Sequence, residues 1–316
     1  MLMDLSFAAI AIMVLLGVLL DMRLGEATRW HPLVGFGNLA IRLERILNTG
    51  SHRFKRGGLA WLLIVLPFVV LTWGLTFWLA RFDMLIAFAV HALLLYFCLG
   101  LRSLRDHTLP IAHALMDDDL PQARILTARI VSRDTTQAED SDLAKAGVES
   151  LLENGNDAVF GTLFWFVLAG GPGAVLFRLA NTLDAMWGYR TSRFNDFGCA
   201  AARIDDALNF IPARLTALSY ALLGNTRLAW QCWRTQAAAW SSPNAGPVMS
   251  AGAGALNISV GGAAIYYGEV EQRPPLGSGP LASGKDIARA WRLVALTTAL
   301  WVAVICLISV AGAFHA

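Results

Sequence analysis

Apolar residues in this chain fall in long blocks rather than at alternating positions. Residues 5–20, 59–80, 84–101 and 293–313 are nearly free of charge, and a helix needs roughly 20 apolar residues to cross a bilayer. The first block is short for that purpose. Arg81-Phe82-Asp83 reads as a tight turn, so the second and third blocks form a hairpin. Two more apolar stretches are interrupted. Residues 160–179 are broken by Gly170-Gly171-Pro172-Gly173, and 208–223 carry Pro212 and Arg214. Half-length apolar helices are re-entrant or protein-buried more often than spanning, so neither stretch is expected to cross. Period-2 alternation is missing. The pattern predicts an all-α polytopic integral membrane protein of about four spans, with re-entrant or buried helices and a cytoplasmic helical portion.

The polar stretches have helical periods of their own. Asp119 can cap a helix with Pro121 in its first turn, running through Ala123, Leu126 and Ile130. Asp140 or Ser141 opens the next, through Ala144, Val148, Leu151 and Leu152. On it Asp142, Glu149, Glu153 and Asn156 share one face. From 241 to 284 the chain turns to Gly, Ala, Ser and Pro, with little helix propensity. That segment reads as an ordered binding loop or a flexible connector. The resulting organisation is an N-terminal membrane region 1–101, containing a basic loop 21–58 and the hairpin 59–101. Cytoplasmic helices 102–157, a catalytic region 158–292 and a C-terminal span 293–316 follow.

Charge orients these pieces. The loop 21–58 holds Arg23, Arg29, Arg42, Arg45, Arg53, Lys55 and Arg56, and the first four residues hold no cation. The positive-inside bias puts that loop and 102–292 in the cytoplasm, and the active site at the cytoplasmic face of the inner membrane. Only 15% of residues are charged and 56% are hydrophobic, against about 25% charged in soluble domains. A net charge of +2 gives no reason to expect nucleic acid. The four cysteines lack C-x-x-C spacing, so neither a disulfide frame nor a zinc site is expected.

The candidate chemistry lies between 148 and 214. Glu149 and Glu153, at i and i+4, emerge on one side of their helix, and with Asn154 and Asp157 they could hold Mg²⁺. A solvated helix face is the plain alternative. Asn181 and Asp184 precede Gly188, which looks like a helix stop, and Tyr189-Arg190 follow. Asp205, Asp206 and Asn209 form D-D-x-x-N, a pattern suited to Mg²⁺-phosphate, with Arg190, Arg193, Arg203 and Arg214 as phosphate-pairing cations. Internal salt bridges, such as Arg203 with Asp205 or Asp206, are the alternative. Clustering of these pairs favours a functional reading. Residues 279–286 imitate a phosphate loop, but Asp286 stands where a hydroxyl is needed, and Ser283 with Asp286 reads as a helix cap. His31-Pro32 is a candidate ligand at the membrane surface, whereas His52, His91, His107, His113 and His315 show no ligand spacing.

Taken in order, VESLLENGNDAVFGTLFW, NTLDAMWGYR, FNDFG, AARIDDALNFIPARLTAL, SPNAG and GG…YYG…E-x-R-P-x-LG resemble the adenosylcobinamide-phosphate synthase family (CobD/CbiB) of cobalamin biosynthesis. The opening LLDMRLGEATRWHPLVGFGNLAIRLE and SRDT at 132–135 match as well, so the resemblance covers nearly the whole chain. Gly25-Glu26-Ala27 replaces the family's usual G-D-P, and ENGND replaces the commoner ENTVD while keeping Glu153, Asn154 and Asp157. The resemblance implies ATP-dependent amide formation. It joins (R)-1-amino-2-propanol, or its O-phosphate, to a propionate of adenosylcobyric acid, giving adenosylcobinamide or its phosphate.

On that reading Mg²⁺ and ATP are required, the corrinoid is a substrate, and lipid surrounds the chain. A homo-oligomer and a complex with other corrinoid enzymes both stay open. Glu149, Glu153, Asp157, Asp205 and Asp206 are expected at the metal. Asp184 is expected to take the ammonium proton, and Arg190, Arg203 and Arg214 to hold phosphate or carboxylate. His31, Asn154, Asn181, Tyr189, Asn209, Ser242 and Asn244 are expected to touch substrate. Rival readings are a membrane Mg²⁺-dependent prenyl-type diphosphate transferase and a non-enzymatic regulator or transporter, the last of which should show paired halves that are not found.

Overall fold

The computed structural model describes residues 5–27, 31–266 and 268–313. Arg29 of the basic loop, Tyr267 of the YYG motif and His315 lie outside them. The helices are α1 (Phe7–Leu24), α2 (Pro32–Leu47), α3 (Arg53–Ala80), α4 (Met84–Cys98), α5 (Leu101–Met116) and α6 (Leu120–Thr127). They continue as α7 (Asp140–Gly155), α8 (Gly161–Trp187), α9 (Cys199–Leu223), α10 (Thr226–Gln236) and α11 (Ala245–Leu256). Four three-residue strands follow, β1 (Ser259–Gly261), β2 (Ala264–Tyr266), β3 (Glu269–Glu271) and β4 (Pro275–Gly277), before α12 (Gly284–Ala313). The protein is an all-α polytopic membrane protein, and the strands are a minor addition that the sequence pattern did not reveal.

Among the described residues, five helical segments, rather than about four, are long and apolar enough to cross a membrane: Phe7–Leu24, Arg53–Ala80, Met84–Met116, Asp140–Trp187 and Gly284–Gly312. The additional one contains the broken stretch 160–179; the stretch 208–223 is not among them. The break itself is real. Gly170 sits at φ 61°, in the left-handed region, and the N–H of Gly171 donates to the buried His91 Nδ1 at 2.8 Å. That bond satisfies a donor at the new helix start, which in an apolar setting would otherwise be costly. Along α3, Leu62, Leu63, Leu66, Val70 and Leu71 are exposed, as a lipid-facing surface requires.

The chain divides into two compact units that interleave in sequence. The first takes Met1–Gly100, Asp157–Asn209 and Val302–Ala316. Within it α8 packs against α3 and α4, α1 lies on α4, and α2 contacts α3 and α8. The Arg81–Asp83 turn closes as expected, with Asp83 Oδ1 accepting the N–H groups of Leu85 and Ile86.

The second unit takes Leu101–Asn156 and Phe210–Trp301. In it α7 packs on α5, α6 and α11, and α10 lies along α11. Asp119 caps α6 through the Gln122 N–H, and Ser283 donates to Asp286 at the start of α12. For α7 the cap is Glu139, in a reciprocal box with Asp142, and not Asp140 or Ser141. The Gly/Ala-rich segment is also more ordered than its composition suggests, because α11 is buried along its whole length. A Cβ on Gly252 would meet Leu152 at 2.6 Å and one on Gly254 would meet the Ala229 backbone at 2.8 Å. Close helix contact, which only small residues permit, overrides their low propensity. Antiparallel pairs β1–β4 and β2–β3 complete the segment.

Candidate active site

The first unit gathers four of the expected acids. Between α7 and α8 the chain makes one π-helical turn, Asn156–Phe160. Such a turn inserts an extra residue and re-aims the side chains around it. Asp157 lies on it and accepts 2.7 Å from Nδ2 of Asn209 on α9. One turn earlier on α9, Asp205 is buried at 6% exposure, and its Oδ1 has no hydrogen-bond partner. Asp157, Asp184 and Asp206 all lie within electrostatic range of it. Burial pushes the Asp205 carboxyl well above the usual carboxylate range, and the three neighbouring charges push the same way. Gly188 ends α8, as expected of a helix stop, but at φ −71° rather than in the left-handed region. A Cβ there would stand 2.1 Å from Asp184 Oδ1, so the residue makes room for that carboxylate.

A cation that spacing arguments did not single out lies within electrostatic range of Asp157. Arg178 lies on α8 in an apolar run, and its Nε is buried without a hydrogen-bond partner. Its charge is felt by Asp157, Asp21 and Glu26. His31 in turn lies within range of Glu26 and Arg178. Burial lowers the proton affinity of His31, Glu26 opposes that, and Arg178 adds to it. His31 Nδ1 also accepts from the Leu33 N–H at 3.2 Å, so it caps α2. Residues of the N-terminal LLD…LGE…HP segment and Asp157 therefore share Arg178 as an electrostatic neighbour. The signal for Arg178 was its position: a lone ionisable residue inside an apolar helix marks function by default.

Other expected residues are placed differently. Arg193, counted among the phosphate-pairing cations, is committed to Glu44. Its Nε and Nη2 reach the two carboxylate oxygens at 3.1 and 2.6 Å, and Asn48 Nδ2 joins them at 2.7 Å. The Arg193 contact holds the Glu44 carboxyl below its usual range. The Arg203 guanidinium stands 5.6 Å from the centre of the Phe54 ring. Tyr189 and Arg190 are exposed, and Asn181 is half-buried.

In the second unit, Glu149 is a correction to the metal set. Its Oε2 meets Arg133 Nη2 at 2.5 Å and Arg273 Nη1 at 2.9 Å, while Oε1 takes Arg273 Nη2 at 3.2 Å and the Gly261 N–H at 2.7 Å. A carboxylate filled by two guanidiniums and an amide holds the fold together and has no oxygen to offer a metal ion. Glu153 and Asn154 are half-buried, and Asn154 Nδ2 donates to the Ser150 carbonyl at 3.0 Å. Arg214, Asn244 and Ser242 do come together. Arg214 Nη1 donates to Asn244 Oδ1 at 2.5 Å, and Ser242 Oγ accepts from the N–H groups of Asn244 and Ala245.

Among the described residues no three His, Cys, Asp or Glu side chains stand in metal-ligating geometry, so the five-acid metal site is not preassembled. The donor chemistry of Asp157, Asp205 and Asp206 still suits a hard divalent cation, and Asp205 Oδ1 is an acceptor in want of a partner. Carboxylates grouped around a buried guanidinium can bind a phosphorylated group through cations and exchange a proton with it.

A family model described as CobD/Cbib protein matches residues 14–294. Among curated proteins, the chain is 55% identical over 295 residues to the cobalamin biosynthesis protein CobD of Stutzerimonas stutzeri, covering 91% of this chain and 94% of that one. It is 50% identical over 309 residues to the protein of the same name from Chromobacterium violaceum, covering 95% and 97%. For that of Geobacter metallireducens the identity is 37% over 288 residues, covering 88% and 89%. No solved structure matches the chain.

Proposed function

The chain belongs to the CobD/CbiB family, and from that membership we propose that it is a ligase of cobalamin biosynthesis, joining (R)-1-amino-2-propanol or its O-phosphate to adenosylcobyric acid in an ATP-dependent step. The product is adenosylcobinamide or its phosphate. The observation that carries this reading is the meeting of Asp157, Asp184 and Asp206 around the buried Asp205 carboxyl, with Arg178 in range of Asp157.

A carboxylate does not acylate an amine at neutral pH. A propionate oxygen of the corrinoid attacks the γ-phosphorus of ATP, ADP leaves, and an acyl phosphate forms. The amine nitrogen then attacks the acyl carbon, inorganic phosphate departs, and the ammonium gives up a proton. Arg178 supplies the fixed positive charge that a transferring phosphoryl group needs. Asp184, for whose carboxylate Gly188 leaves room, is suited to receive the ammonium proton. Mg²⁺, if held by Asp157, Asp205 and Asp206, would neutralise phosphate charge. The charge bias of the loops supports a site at the cytoplasmic face of the inner membrane.

The test uses purified full-length protein in detergent with adenosylcobyric acid, Mg²⁺-ATP and either aminopropanol or its phosphate. Cobinamide product formed with one ADP per amide is the expected result. Consumption of an isoprenyl diphosphate, with no amide and no ADP, would overturn the reading in favour of a transferase.

A further inference from the structure

Helix α10 and the turn after it bring three indoles, Trp230, Trp233 and Trp240, to an open cavity of about 510 Å³ in the second unit. Arg214 and Arg234 line the same cavity, and among the described residues no carboxylate lines it. The volume is that of an ordinary small-molecule site, about 300–1,000 Å³. Its walls are held in place. Arg214 donates to Asn244 Oδ1 at 2.5 Å and to the Pro243 carbonyl at 2.9 Å, and its guanidinium stacks 3.7 Å from the centre of the Phe210 ring. The Trp230 and Trp233 rings meet edge to face at 5.3 Å. Behind Trp240 stands Arg273, 5.4 Å from its ring and already paired with Glu149. Gly246 lets the first turn of α11 close on this wall, since a Cβ there would be 2.4 Å from the Ala237 carbonyl oxygen.

Positive charge without a lining carboxylate selects an anion, and an oriented guanidinium suits phosphate. Three indoles select a flat ring, because base–aromatic stacking is tolerant of ring identity. We propose that this cavity binds a nucleoside phosphate, with the base against the indoles and the phosphates on Arg214 and Arg234. Its identity as the ATP of the amide-forming reaction rests on the function proposed above. An anionic phospholipid would share the phosphate but has no ring to stack.

The experiment measures binding of mant-ADP to full-length protein in detergent, by energy transfer from tryptophan. Arg234→Glu and Trp233→Leu should each weaken binding about tenfold or more, the scale of one lost stacking contact. Trp78→Leu, on the exposed face of α3, should leave it unchanged. Equal affinity in Arg234→Glu and wild type overturns the assignment. So does displacement of mant-ADP by nanodiscs containing phosphatidylglycerol but not by those of phosphatidylcholine, which would make the cavity a headgroup site. Nucleotide bound here without amide synthesis would sink the ligase reading and keep the site. Amide synthesis with an unaltered KM for ATP in Arg234→Glu would sink the site and keep the ligase.

Discussion

Glu149→Gln keeps the shape of a buried side chain and removes its charge, leaving two guanidiniums facing a neutral amide. The three side chains are nearly enclosed, at 4% exposure for Glu149, 11% for Arg133 and 8% for Arg273. Together they carry one net positive charge; the variant raises that to two, whereas Arg273→Met lowers it to zero. Removing one member of a buried ion pair costs about 3–5 kcal/mol, mostly as uncompensated charge. Each kcal/mol moves the melting midpoint by about 2–4 °C in a unit of this size, so a fall of about 6–20 °C is expected. Arg273→Met should fall by less, because a matched Arg133–Glu149 pair survives. Near-UV circular dichroism melts in one detergent measure both. A shift under about 2 °C for Glu149→Gln, within the effect of an ordinary surface change, would refute the reasoning. A metal-binding role would instead leave the melt unaltered and raise the Mg²⁺ requirement.

Two further outcomes follow from the first unit. The folded state holds the Asp205 proton more tightly than the unfolded chain, so this stabilisation is complete below the ordinary carboxyl value of about 3.9 and is lost as pH rises through the raised folded value. Asp205→Asn should therefore melt higher than wild type at neutral pH and decline less on going up from pH 4; parallel melting curves across that range would contradict it. Gly170→Ala places a Cβ 2.8 Å from His91 at a φ of 61°. It should cost about 1–3 kcal/mol and loosen the break in α8, read as faster proteolysis there, and wild-type resistance would count against the strain argument.

What the sequence revealed depended on how local the cause was. The break in α8 was legible because Gly and Pro act on their own backbone, and the caps at Asp119 and Ser283–Asp286 close within three residues. The shared side of Glu149 and Glu153 was also legible, but their partners were not. Arg133 and Arg273 stand 16 and 124 residues from Glu149, and Arg193 is 149 from Glu44. No spacing rule connects such pairs, so Glu149 and Arg193 were read as site residues when each was already bound. Buried α11 was misread because its stability comes from contact rather than propensity. Asp157, Asp184, Asp205 and Asp206 stood out because acids beside apolar helices are costly without a purpose. Arg178 follows the same rule but was hidden in the broken apolar stretch 160–179, which read as re-entrant or protein-buried.

The central claim is that these four aspartates and Arg178 surround the reacting groups. Asp157→Asn tests it most directly, since the amide can keep its contact with Asn209 while the charge is lost. Amide turnover is measured in protein with an unchanged melting midpoint and saturating Mg²⁺-ATP. A fall of about 100-fold or more is expected, the size of one lost electrostatic contact at a transition state. Turnover equal to wild type would place the chemistry elsewhere in the molecule.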